Sequence, residues 1–173
     1  MVAVAGSSDH PLIVDRRRLE IADKSIPGTV QPYHTAKELG IARGRKFLDE
    51  CRKSSTDLAV EALRRTAGLA GCLRAAILIA SGRKSGSLEA TLASHAAIHT
   101  AEGEFFREIV LNAAESRGLR VRQIKEKELF DLAAQELRRP VADLTAMLND
   151  LGKIVGPPWR QDHKLAALAA WLA

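Results

Sequence analysis

"DKSIPGTVQPYH", residues 23–34, is the stretch on which the reading of the fold turns. Its first half, "DKSIPG" (23–28), is turn chemistry, because Asp, Ser, Pro and Gly each favour chain reversal for their own physical reasons. Its second half, "TVQPYH" (29–34), reads as a short strand rich in β-branched and aromatic residues. Pro32 has no N–H to give a ladder, so that strand belongs at a sheet edge. Two strands precede it. "VAVAG" (2–6) is stopped by "GSSDHP", and "PLIVDRRRLEIA" (11–22) carries a strand near 12–21. Short connections between the three predict an antiparallel meander.

Downstream the hydrophobic spacing becomes helical from Thr35 to about Leu69, with a break expected near "KSST" (53–56). "LRAAILIA" (73–80) has the composition of a buried strand. "SGRKSGS" (81–87) is a loop, and one very long helix is expected from about Leu88 to Arg117, closed by Gly118. "LRVRQI" (119–124) alternates as a strand does. Helical patterns follow at about 126–138, 140–152 and 161–172, the last after the hard break "GPPW" (156–159). Strands that enter through helical crossovers should run parallel to the first strand.

This order of elements resembles the ribonuclease H-like fold, and "WRQDHKLAALAAWLA" (159–173) is similar to the acid-headed, alanine-rich last helix of resolvases in that superfamily. The resemblance is one of topology over nearly the whole chain. It implies a single α/β domain over residues 1–173: a three-layer sandwich with a five-stranded mixed sheet and helices on both faces. It also implies two magnesium ions held by carboxylates from strand one, strand four and the last helix. Here strand one ends in Gly6, Ser7 and Ser8, with Asp9 just beyond, and strand four ends in Ser81. Only Asp162 stands where the superfamily places an acid, so a standard two-metal nuclease is not expected.

Composition narrows the function classes. The 173 residues are 46% hydrophobic and 27% charged, an ordinary mix for a soluble globular domain. No apolar run approaches the length needed to span a bilayer, and "MVAVAGSSDH" has no basic leader. Only Cys51 and Cys72 are present, so the expectation is a cytoplasmic protein with two reduced thiols and no membrane partner. A formal charge of +5 favours nucleic acid or another phosphate-bearing partner. With only seven aromatic residues for base stacking, that charge is a weak guide.

The stretch "SHAAIHTAEGEFFRE" (94–108) carries the chemistry. At about 100° per residue, His95, His99 and Glu102 fall within the apolar arc, whereas Glu104, Arg107 and Glu108 fall on the solvated side. A carboxylate on a buried face costs several kcal/mol unless it is paired or hydrogen-bonded, about as much as any core tolerates. Glu102 therefore needs a partner, His99 or an arginine from a neighbouring element, unless this stripe faces a cleft. Gly103 implies a close approach to the helix backbone there. Three readings stay open. One is a structural polar network, and one is a catalytic cleft in which Glu102 works as acid or base with His99 and His95. The third is a metal site, since His at i and i+4 chelates one Zn²⁺ and His34 or His163 would complete the set.

Other candidates are "SGRKSGSLE" (81–89), where Arg83, Lys84 and Ser85 suit an anion at a helix N-terminus, and Asp162 with His163 at the head of the last helix as metal ligands. The leading expectation is an atypical ribonuclease H-like domain that binds nucleic acid or a phosphate-bearing ligand. A hydrolase built on Glu102, His99 and His95 is the alternative, with a divalent metal such as Mg²⁺ or Zn²⁺ as its cofactor. A non-catalytic scaffold, such as a homodimer, is the third.

Overall fold

The computed structural model describes residues 1–67, 71, 74–80 and 86–173. In chain order the elements are β1 (Val2–Gly6), β2 (Pro11–Arg16), α1 (Pro32–Leu39), α2 (Ile41–Ala67), β3 (Arg74–Ile79), α3 (Leu88–Ala93), α4 (His95–Ser116), β4 (Arg120–Lys125), a 3-10 turn (Glu126–Glu128), α5 (Leu129–Leu137), α6 (Val141–Val155) and α7 (Gln161–Trp171). They fall into two compact units. One comprises Met1–Arg18, Arg74–Ser81 and Val121–Ala173; the other comprises Leu19–Leu73 and Gly82–Arg120.

The five-stranded ribonuclease H-like sandwich is not what forms. The described strands make two separate two-stranded sheets, β1 with β2 and β3 with β4, in a helix-rich chain. The decisive departure is at residues 29–34, where the expected edge strand is a turn running into α1. Pro32 takes the first turn of that helix, where its missing N–H has no intrahelical partner to lose. The turn before it is closed by side chains. The hydroxyl of Thr29, a buried residue, donates to the carbonyls of Asp23 and Ile26, and Asp23 accepts from the amide and hydroxyl of Ser25. With its polar groups satisfied locally, this segment has no need of a sheet neighbour.

Two helix boundaries also differ. α2 runs unbroken through 53–56, because Ser54 donates to Asp23 and Thr56 donates to the Arg52 carbonyl instead of capping a new helix. The real break lies at Gly40. Gly44 then lets α1 cross close over α2, since a Cβ there would sit 2.6 Å from the Ala36 carbonyl oxygen. The long helix expected from Leu88 divides at Ser94, which ends α3 and whose hydroxyl accepts from the Ala97 amide at the head of α4.

In the first unit β1 and β2 pair antiparallel, with Val2 opposite Arg16 and Val4 opposite Ile13. A two-stranded ribbon is marginal alone, so helices supply its cover. Ala167, Leu168 and Ala169 are buried in succession on α7, which marks a helix surrounded on several sides. α7 packs on β1 and β3, and the core adds Ile124, Leu129, Leu144 and Leu148. The guanidinium of Arg16 holds the Gly156, Pro157 and Pro158 carbonyls, and the Trp159 indole N–H donates to the Leu148 carbonyl. No helix among the described residues is long and apolar enough to cross a membrane.

Two outcomes follow from this packing. A Cβ on Gly152 would lie 2.2 Å from the Trp159 ring, so Gly152→Ala should lower the unfolding free energy by about 1–3 kcal/mol, read from the urea midpoint. The Ser25 hydroxyl, the Ser54 hydroxyl and the Ser25 amide hold the Asp23 carboxyl below its ordinary 3.8. Because the folded value is depressed, its stabilisation is full above pH 3.8 and is lost as pH falls through the lower folded value. The stability gap between wild type and Asp23→Asn should therefore close in acid, as followed by circular dichroism.

Candidate metal centre

Glu102 finds its partner on α1, not on its own helix. Its Oε1 lies 2.9 Å from the His34 Nδ1 and also accepts from the His34 backbone N–H at 3.3 Å. His34 is the third residue of α1, so that amide is one of the orphan donors of a helix start. Gln31, which precedes the helix, makes no side-chain cap. The carboxylate of one helix thus caps another, where the helix dipole also favours negative charge. This satisfies a carboxyl whose side chain is only 12% exposed. The expected His99 partner is farther, with its Nδ1 3.9 Å from Oε2.

The contact fixes the chemistry of the His34 ring. An ionised carboxylate only accepts, so the hydrogen bond places a proton on Nδ1, and a neutral ring then carries its lone pair on Nε2. His95 and His99 stand one turn apart on α4, and their Nε2 atoms face each other at 3.1 Å. The ring centroids of His34 lie 4.9 Å from His99 and 5.5 Å from His95. One ring nitrogen from each of the three falls within 4.8 Å of the others. Around a tetrahedral Zn²⁺, ligand nitrogens at about 2.0–2.1 Å from the metal lie roughly 3.3 Å apart. Small rotations of side chains would close the set, because His99 is 55% exposed and His34 is 27% exposed.

A packed apolar floor supports the cluster. Ile98, Ala101, Phe105 and Ile109 are the buried stripe of α4. Tyr33 meets the Phe105 ring edge-on at 6.0 Å, and the Arg52 guanidinium covers that ring at 4.7 Å. His95 and His99 lie beside this stripe and are exposed, not buried as the apolar arc suggested, because the face that packs inward runs through Ile98, Ala101, Phe105 and Ile109. Glu104 is part-buried, not exposed. Gly103 does have a close neighbour, the Arg107 guanidinium, 2.9 Å from where a Cβ would be. Cys51 is no ligand candidate: its thiol is buried and burial, above all, pushes it up to about 11.

Of the other sequence candidates, Asp162 and His163 belong to the first unit and serve the start of α7. His163 Nδ1 accepts from the Arg160 amide and lies 3.1 Å from Asp162, with its ring stacked on Trp159. Asp9, near the end of β1, pairs with Arg139 at 2.9 Å. Arg83, Lys84 and Ser85 lie outside the described residues. His34 was legible as a ligand type, yet its place on a helix was not, because Pro32 read as an edge-strand residue.

Glu102→Gln keeps the shape but loses the charge-assisted bonds to α1, and should lower the unfolding free energy by about 1–3 kcal/mol. Glu115→Gln, on an exposed part of α4, should stay within about 0.5 kcal/mol in the same denaturation. Cys51 should resist iodoacetamide in native protein at pH 8 and react on unfolding, as peptide mapping would read. No protein-family model, curated protein or solved structure matches this chain.

Proposed function

We propose that this chain is a metal-binding protein in which His34, His95 and His99 hold one transition-metal ion of the zinc class. The observation that carries this is the convergence of three ring nitrogens within 4.8 Å, with His34 Nδ1 already committed to Glu102. Imidazole nitrogens suit zinc, copper or nickel, whereas Mg²⁺ favours oxygen ligands, so the donor set speaks against magnesium here. A carboxylate behind a ligating histidine is a recurrent supporting contact, because it sets the tautomer and raises ligand basicity. Glu102 has that place. A purely structural polar network would account for Glu102 and His34, but gives no reason for two exposed histidine nitrogens to face each other at 3.1 Å.

A nucleic-acid or phosphate-bearing partner rests on net charge and on Arg83, Lys84 and Ser85, whereas the histidine centre rests on geometry. On sequence grounds alone, two cysteines without a disulfide framework support a cytoplasmic setting, and a homodimeric scaffold stands as a separate alternative.

Titration of the purified protein with Zn²⁺ should show one site per chain by calorimetry. An ion that binds only the folded state at 100 times its dissociation constant adds about 2.7 kcal/mol, which a thermal melt would show. His95→Ala and His99→Ala should abolish the site, and Glu102→Gln should weaken it by about 10–100-fold. A chain that takes up no zinc at micromolar concentration would overturn the reading.

A further inference from the structure

We infer that the ion of the three-histidine centre works as a latch that holds the short helix α1 on α4, so that metal occupancy sets how often α1 lifts away. This rests on the metal-binding reading and names what that site regulates. The ligands are divided between two helices. His34 stands in the first turn of α1, and His95 and His99 stand one turn apart on α4. One ring nitrogen from each lies within 4.8 Å of the others, so an ion bound by all three ties the two helices together. A site shared in this way is a cross-link. It exists while the helices are docked and is lost when they part, which couples binding to the docked state.

Of the two helices, α1 is the one that such a link would restrain. It has eight residues, and isolated helices below about 12–15 residues are marginal in water. Its buried residues are Pro32 and Ala36, both small, so little apolar surface anchors it. Gln31 gives it no side-chain cap, and Gly40, at φ 77°, ends it. By contrast α4 has 22 residues and buries Ile98, Phe105 and Ile109 among others. The first turn of α1 rests on α4 through Tyr33, edge-on to Phe105, and through the two bonds from His34 to Glu102. The His34 ring that makes one of those bonds also lies 4.9 Å from the His99 ring and 5.5 Å from the His95 ring, by centroids. An element with few buried apolar contacts opens locally at a smaller free energy than the whole fold. An ion that binds only the docked arrangement suppresses that opening in proportion to its occupancy.

The test is amide hydrogen exchange on the full chain, with Zn²⁺ uptake measured first by calorimetry. Without metal, the amides of residues 36–39 on α1 should exchange faster than those of residues 105–113 on α4. With free Zn²⁺ at 100 times its dissociation constant, exchange through any opening that breaks the site falls about 100-fold, and residues 36–39 should show that fall. His34→Gln keeps a side-chain amide that can donate to Glu102, and it keeps His95 and His99, but it takes the nitrogen ligand off α1. With its fold verified by circular dichroism, the same Zn²⁺ should leave the exchange of residues 36–39 unchanged in that variant. If the variant does not fold, the wild-type comparison decides alone. Zinc uptake with the exchange of residues 36–39 unchanged in wild type would overturn the latch and leave the metal-binding reading intact. The latch would also be overturned by equal slowing in His34→Gln, or by α1 amides as slow as those of α4 before metal is added. Failure to take up zinc at the first step would overturn both.

Discussion

The carboxylate of Glu102 fastens the first turn of α1 to the middle of α4, and the geometry of the centre follows from that one contact. A carboxylate this far from solvent is tolerated only when donors surround it. Here both donors belong to His34, one from its backbone and one from its ring. The backbone bond places α1 along its axis, while the ring bond sets which nitrogen of His34 is free. Coupling these two roles in one residue means that the helix cap and the orientation of the His34 ring stand or fall together.

The apolar floor makes this precise enough to be useful. Tyr33, next to His34, packs on Phe105, which lies one turn beyond Ala101 on the buried stripe of α4. Ala36 and Ile98 are fully buried in a cluster with Leu48 and Leu92. Small residues at Ala36 and Gly44 allow α1 and α2 to approach closely, because the space a Cβ on Gly44 would need is taken by the Ala36 carbonyl. Rigid helices at short range hold side chains better than loops do, which keeps the three histidine rings in one cluster.

The first unit illustrates a different economy. Its ribbons are too narrow to form a core of their own, so α5, α6 and α7 supply most of the buried surface. Arg16 at the end of β2 binds three consecutive carbonyls of the loop before α7, satisfying groups that neither helix nor strand would satisfy. Asp162 and His163, which resemble ligands by residue type, are absorbed into starting α7.

The sequence by itself determined, to within a residue at each end, the strands near 2–6, 74–80 and 119–124, and it marked the three C-terminal helices and the need of Glu102 for a donor. Hydrophobic period and breakers report what a segment prefers, and these segments kept their preference. Tertiary structure decided the rest. Residues 29–34 entered a turn and a helix because Thr29 and Asp23 closed the turn and Tyr33 found Phe105. Glu102 chose His34, 68 positions away, over His99, three positions away, because only His34 offers two N–H groups in one direction. Residue type announced a polar site on α4. Which ring nitrogens it presents was set by a contact between two helices that no local spacing encodes.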